Sequence, residues 1–156
     1  PEFISNYVEE NIGKIIDEAG NELGEHKGLQ YYTLGQRQGI GIGGLKGSNN
    51  NPWYVASKNN NPNTLTVVQG NDNPLLFSDK LITRNKFLLS DDIGKEFKGT
   101  AKVRYRQADQ ECDIKIDKNK IIVKFAEPQR AVTPGQSVVI YNENECLGGG
   151  EIESIN

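Results

Sequence analysis

The sequence predicts a mainly β protein: a small β-rich domain over residues 1–77, followed by a C-terminal antiparallel β-barrel over residues 78–156. Three observations predict it. Short runs of alternating apolar and polar residues recur along the chain, clusters of Gly, Asn and Pro punctuate them, and no helical period separates the runs of the second half. The strongest break is Asn71–Pro74, NDNP, with Leu75–Phe77 as a short apolar anchor after it. A length of 156 residues accommodates one ordinary domain or two small ones.

In the first domain, FISNYVEE (residues 3–10) reads as the end of a helix that Gly13 breaks, and Lys14–Asp17 as a short strand entering the turn EAGN. Tyr31, Tyr32 and Thr33 are good strand formers and lead into a glycine-rich loop, Gly35 to Gly44. Trp53–Lys58 alternates large apolar with smaller or polar residues, Asn59–Asn63 with Pro62 is a turn, and Asn63–Gly70 is the next strand. In the second domain, strands are expected at Asp79–Leu89, Gly99–Arg106, Glu111–Ile116, Lys120–Ala126, Gly135–Tyr141 and Glu145–Ser154. Asp117–Asn119 and Asn142–Asn144 make hairpin turns. Closure into a barrel protects edges that such short strands would otherwise expose.

Charge is uneven. Residues 1–78 carry five basic against eight acidic side chains, while residues 80–130 carry thirteen against eight, a local +5 in a chain of net −3. A local basic stretch can bind polyanions, because steering depends on the field within a Debye length of about 8–10 Å; solvated surface lysines account for it equally. No apolar run approaches membrane-spanning length and no signal-peptide pattern opens the chain, so a soluble, cytoplasmic protein with no membrane partner is expected, and a monomer. The chain has no Met, which reads as a piece of a longer protein.

Chemistry-bearing residues are sparse. Cys112 and Cys146, the two cysteines, form neither a Cys-x-x-Cys nor a metal-ligand set, and each reads as a buried thiol behaving as a small hydrophobe. His26, the single histidine, reads as a residue that hydrogen-bonds locally. No paired carboxylates, Ser-His-Asp set or metal cluster is present, so no catalytic or metal residues are assigned. Gly39-x-Gly41-x-x-Gly44 spells the dinucleotide fingerprint, but LKGSNNNP follows instead of the helix that would hold a pyrophosphate, and no cofactor is expected in this chain.

Binding chemistry is richer. Gln36 and Arg37 stand where the Tyr31–Thr33 strand gives way to glycines, which let a large partner approach the backbone. In Arg104-Tyr105-Arg106-Gln107, strand alternation puts the two arginines on one face. Such arginines can grip adjacent phosphates, with Tyr105 stacking on a base; the competing reading pairs them with Asp109, Glu111 or Asp113. Thr133-Pro134-Gly135-Gln136 is a tight turn projecting Gln136, whose amide both donates and accepts. Gly148–Gly150 reads as close strand packing or a bulge.

EHKGLQYYTLGQRQGIGIGG (Glu25–Gly44), PWYV (Pro52–Val55), RYRQ (Arg104–Gln107), TPGQSVVIY (Thr133–Tyr141) and LGGGEI (Leu147–Ile152) together, in this order, resemble the bacterial tRNA-specific 2-thiouridylases over nearly the whole chain. Departures are small: Gln38 stands where a lysine is usual, and Asn59-Asn60 follows Lys58 where an acidic residue is common. The resemblance implies tRNA as partner, with Arg104, Tyr105 and Gln136 as contacts and Arg106, Gln36 and Arg37 beside them. It also implies a longer enzyme that activates the wobble uridine with ATP and takes sulfur from a relay donor protein. The nucleotide loop and catalytic cysteine of that chemistry are not in this chain, and Cys112 and Cys146 inherit no such role. The family also carries a methyltransferase label, for which this chain offers no methyl-donor site. Two other readings compete: a non-enzymatic, translation-factor-like barrel that docks a protein, and a complete enzyme using His26 and a cysteine thiolate.

Overall fold

The computed structural model describes residues 11–42, 51–104 and 107–155. The chain divides into two compact units, Pro1–Leu76 and Phe77–Asn156. The expected helix over residues 3–10 lies outside the described residues.

The first unit is a four-stranded sheet built from β1 (Gly13–Ile16), β2 (Glu22–His26), β3 (Trp53–Asn60) and β4 (Asn63–Gln69), in the order β2-β1-β4-β3. β1 and β4 run parallel, while the other two pairs are antiparallel. Asp17 closes the β1–β2 hairpin: its carboxylate accepts from Ala19 N–H, Asn21 N–H and the Asn21 side chain. These bonds, the Asn21 side chain first, hold its pKa below the usual carboxylate value. Ile15, Val55, Leu65 and Val67 are fully buried, each contributing about 1.5–3 kcal/mol of transfer free energy.

Two expectations for this unit need correction. Tyr31–Thr33 is not a strand; Leu29–Tyr31 forms a 3-10 turn after Gly28, and Tyr32 N–H bonds back to Leu29 O at 3.1 Å. The glycine loop is also not bare. Ile40 and Ile42 are buried in the same core as Leu65, and the exposed Gly39 and Gly41 between them take φ of 76° and 83°, which lets the chain turn both isoleucines inward.

The second unit contains β5 (Phe77–Thr83), β6 (Phe87–Leu88), β7 (Glu96–Lys102), β8 (Gln110–Asp117), β9 (Lys120–Arg130), β10 (Ser137–Asn142) and β11 (Glu145–Ile155). Pairing runs β10-β7-β8-β9-β5-β11, and β11 returns to β10, closing a six-stranded antiparallel barrel. Period-two alternation fills it: Ile121, Val123 and Phe125 of β9 point inward with Cys112 and Ile114 of β8, Val138 and Ile140 of β10, Leu81 of β5 and Ile152 of β11. The single strand expected over Asp79–Leu89 is interrupted. Asn85 Oδ1 accepts Glu151 N–H at 2.9 Å, so a side chain takes the place of a ladder bond before β6 resumes beside β11.

Gly148–Gly150 does what its sequence suggests. A Cβ on Gly148 would meet Phe87 O, on Gly149 Val138 O, and on Gly150 Asn85 O, so neighbouring backbones occupy the space of three side chains.

Candidate nucleic-acid interface

Arg104 does not lie on a strand. β7 ends at Lys102, because the next N–H, that of Val103, donates to Gln107 Oε1 at 2.9 Å rather than to a partner strand. The strand expected through Arg104 therefore stops two residues short of it. Tyr105 and Arg106 lie outside the described residues.

Arg104 is held without being neutralised. Its Nη2 donates to Arg130 O at 3.1 Å and Ala131 O at 3.2 Å, two successive carbonyls that the left-handed Ala131 (φ 56°) turns toward it. None of the carboxylates weighed as partners reaches it: among the described residues Arg104 makes no ion pair, and Asp109 is taken by Lys102 at 3.2 Å. The side chain is exposed. A guanidinium fixed on one edge by neutral carbonyls keeps its remaining donors and its full charge for an anion.

Ala131 O ties Arg104 to the Gln136 turn. The same oxygen accepts Thr133 Oγ1–H at 2.9 Å, and Thr133 N–H donates to Gln136 Oε1 at 3.2 Å. The turn closes through Gln136 N–H to Thr133 O at 3.1 Å, with Gly135 at φ 93° in the third position where glycine is suited. Gly135 N–H and Gln136 O pair with Ile152 O and N–H at 2.8 and 2.7 Å. Gln136 thus differs from its expected form. Its oxygen is spent on Thr133, and only its NH₂, without a partner among the described residues, is left as a donor on this half-buried side chain.

Thr33-Leu34-Gly35-Gln36 in the first unit repeats this turn. Gln36 N–H donates to Thr33 O at 3.0 Å, Thr33 N–H donates to Gln36 Oε1 at 2.9 Å, and Gly35 has φ 84°. Gly35 N–H and Gln36 O pair with Val55 at 2.8 and 2.9 Å, as their counterparts pair with Ile152. Here, however, Gln36 Nε2 also donates to Gln38 O at 2.8 Å, so both ends of the amide are used inside the loop. Arg37, the next residue, is exposed.

Sequence reasoning missed Gln129, Gln110 and Ala131. Gln129 is buried, and its Oε1 accepts from Gln107 Nε2 at 2.7 Å while its Nε2 donates to Gln110 Oε1 at 3.2 Å and Glu127 O at 2.9 Å. No local pattern signals residues that meet only when β9 passes the loop after β7.

The remaining reactive groups are two cysteines and a histidine. Burial, and secondarily the charge of Asp113, pushes the Cys112 thiol from 9.0 up to about 12, whereas Cys146, expected to be a buried thiol too, is exposed near the β10–β11 turn. His26 does not hydrogen-bond locally as expected. It is buried edge-on to Tyr32, ring centroids 6.1 Å apart, with neither nitrogen paired among the described residues. No group of three or more His, Cys, Asp or Glu able to hold a metal occurs among the described residues.

Residues 1–69 match the family described as tRNA methyl transferase PRC-barrel domain, and residues 78–152 the aminomethyltransferase beta-barrel domain. Over 155 residues the chain is 48% identical to the tRNA-specific 2-thiouridylase MnmA of Hahella chejuensis, covering 99% of this chain and 43% of that protein. The chain belongs to the tRNA-specific 2-thiouridylase family. Other thiouridylases agree: the MnmA of Pseudomonas entomophila is 48% identical over 154 residues, 98% of this chain and 41% of its own length. That of Francisella tularensis is 47% identical over 153 residues, 97% and 43% respectively. The chain therefore spans less than half the length of these thiouridylases. No described helix is long and apolar enough to cross a membrane.

Proposed function

We propose that this chain is the tRNA-holding portion of a 2-thiouridylase, gripping the sugar-phosphate backbone while the rest of a longer protein adenylates the wobble uridine with ATP and transfers sulfur from a relay protein. The observation that supports the reading is the shared Ala131 carbonyl, which links an unneutralised Arg104, through Thr133, to the turn that carries the donor-only Gln136. A guanidinium and an amide NH₂ together suit phosphate and ribose oxygens, the contacts that position a protein on RNA. In the first unit Arg37 supplies a cation on a locked turn, with Gln36 as the lock. The loop that spells a dinucleotide fingerprint offers ATP no apolar or hydrogen-bonding side chain at Ile40 and Ile42, which are committed to the core. Nor does Cys112, whose thiol stays protonated, suit a persulfide carrier.

Filter binding of tRNA against heparin over a salt series tests this. The logarithm of the tRNA affinity should fall linearly with the logarithm of salt, and Arg104→Ala should lower that slope by about 0.7–0.9, one phosphate contact. Arg104→Ala binding tRNA like the parent chain would refute the assigned surface and favour a barrel that docks protein.

A further inference from the structure

The geometry points to Gln129 as a positioning residue for the RNA-binding loop, acting through a one-way chain of side-chain amides; the inference rests on the proposed role of Arg104. The chain starts at Val103 N–H, passes through Gln107 and Gln129 to Gln110, and ends where Gln110 Nε2 donates to Ala108 O at 3.0 Å. Its direction is set from both ends. Val103 N–H can only donate, so Gln107 must turn its oxygen to it and its NH₂ to Gln129. Glu127 C=O can only accept, so Gln129 must turn its NH₂ that way and its oxygen to Gln107. The two constraints agree.

Gln129 meets a demand that no other side chain meets here. The site needs one acceptor and at least one donor at the end of a two-methylene stem, in a buried position. Glutamate lacks the donor, lysine the acceptor, and asparagine one methylene. The residues it ties down, 103, 107, 108 and 110, flank Arg104 in the chain, and the carbonyls that hold Arg104 belong to the two residues directly after Gln129. One strand end thus fixes both the loop and its guanidinium. Residues 103, 104 and 107–109 belong to no strand, and the amide chain takes the place of a ladder there.

The test is a cycle of Gln129→Met, which keeps the shape but removes the hydrogen bonds, with Arg104→Ala in the full chain, using bulk tRNA as probe. Gln129→Met should weaken tRNA binding three- to tenfold, lower the salt slope by about 0.7–0.9, and add nothing to Arg104→Ala. Without RNA, exchange of Val103 N–H should accelerate while that of Ile121 and Val123 stays slow. Losses that add to those of Arg104→Ala, an unchanged salt slope, or unchanged Val103 exchange would overturn the inference. If Gln129→Met does not fold, Gln107→Met cuts the same chain from the loop side and carries the same expectations. Arg104→Ala without effect on tRNA binding would instead refute the parent reading, whatever Gln129 does to exchange.

Discussion

Gln136→Glu separates the turn-holding role of this side chain from its proposed binding role. A carboxylate keeps an oxygen where Thr133 N–H needs an acceptor, so the 3.2 Å bond survives and gains charge. It replaces the spare NH₂ with a second oxygen. Since a neutral hydrogen bond contributes about 0.5–1.5 kcal/mol net and one to a charged group about 1.5–3, the stability of the barrel should stay within about 1 kcal/mol of the parent. Binding should suffer more. A donor to phosphate worth about 1.5–3 kcal/mol is lost, which is about 10- to 150-fold in affinity, and the new charge repels the backbone further. Gln136→Ala is the counterpart. It abandons Thr133 N–H and should cost about 1 kcal/mol, about 4–8 °C in melting temperature for a unit of this size. Fluorescence anisotropy with labelled tRNA, paired with thermal melts, reads both quantities. Gln136→Glu binding tRNA as tightly as the parent would refute the claim that this amide acts as a donor; a melt lowered as far as that of Gln136→Ala would refute the geometry of the turn.

Three further outcomes are expected of the barrel. Gly149→Ala should destabilise it by about 1–3 kcal/mol or more in a urea titration, because its Cβ would collide with Val138 O, a backbone atom with no free rotamer. In the native chain Cys146 should react with a maleimide at pH 8 and Cys112 only on unfolding, as mass spectrometry of the labelled protein can show. The raised Cys112 pKa also gives a pH dependence. The unfolded thiol ionises near 9.0 and the folded one near 12, so this contribution to stability is whole below about pH 9 and is lost as pH climbs toward 12; Cys112→Ala should flatten the alkaline limb of the stability curve.

Legibility in the sequence was a matter of range. The barrel strands show because inward and outward residues alternate within a few positions, as Ile121, Val123 and Phe125 do against Lys120 and Lys124. Arg104 and Gln136 stood out as candidates for the same reason, since each sits in a compact motif. Tyr31–Thr33 misled because its β-favouring side chains are overruled by the turn after Gly28. The end of β7 was equally hidden: residues 99–106 have strand composition, but Val103 N–H is claimed by Gln107 once the chain has folded back. The Gln107–Gln129–Gln110 chain, which spans 22 residues and then 19, leaves no mark at any local period.

The two Thr-x-Gly-Gln turns show how one local solution yields two roles. Both fold the same way because the four residues determine it: glycine supplies the left-handed third position, the threonine N–H needs an acceptor, and glutamine has the reach to return one. Both then hand their outer N–H and C=O to a buried strand residue, Val55 or Ile152, which anchors the turn to a core. The difference lies in the path of the chain beyond each glutamine. After Gln36 the chain curls so that Gln38 O consumes the spare NH₂, and the exposed group left over is Arg37. After Gln136 the chain enters β10 at Ser137, and extended backbone leads its carbonyls away into the sheet, so the NH₂ stays open. Glutamine in this turn is therefore structural in both units, and its availability to a ligand depends on whether the next residues curl or extend. By that logic Gln36→Glu should keep the Thr33–Gln36 turn but release Gln38 O and loosen the chain around Arg37, read as faster amide exchange there, and on the proposed reading Arg37→Ala should lower the salt slope of tRNA binding.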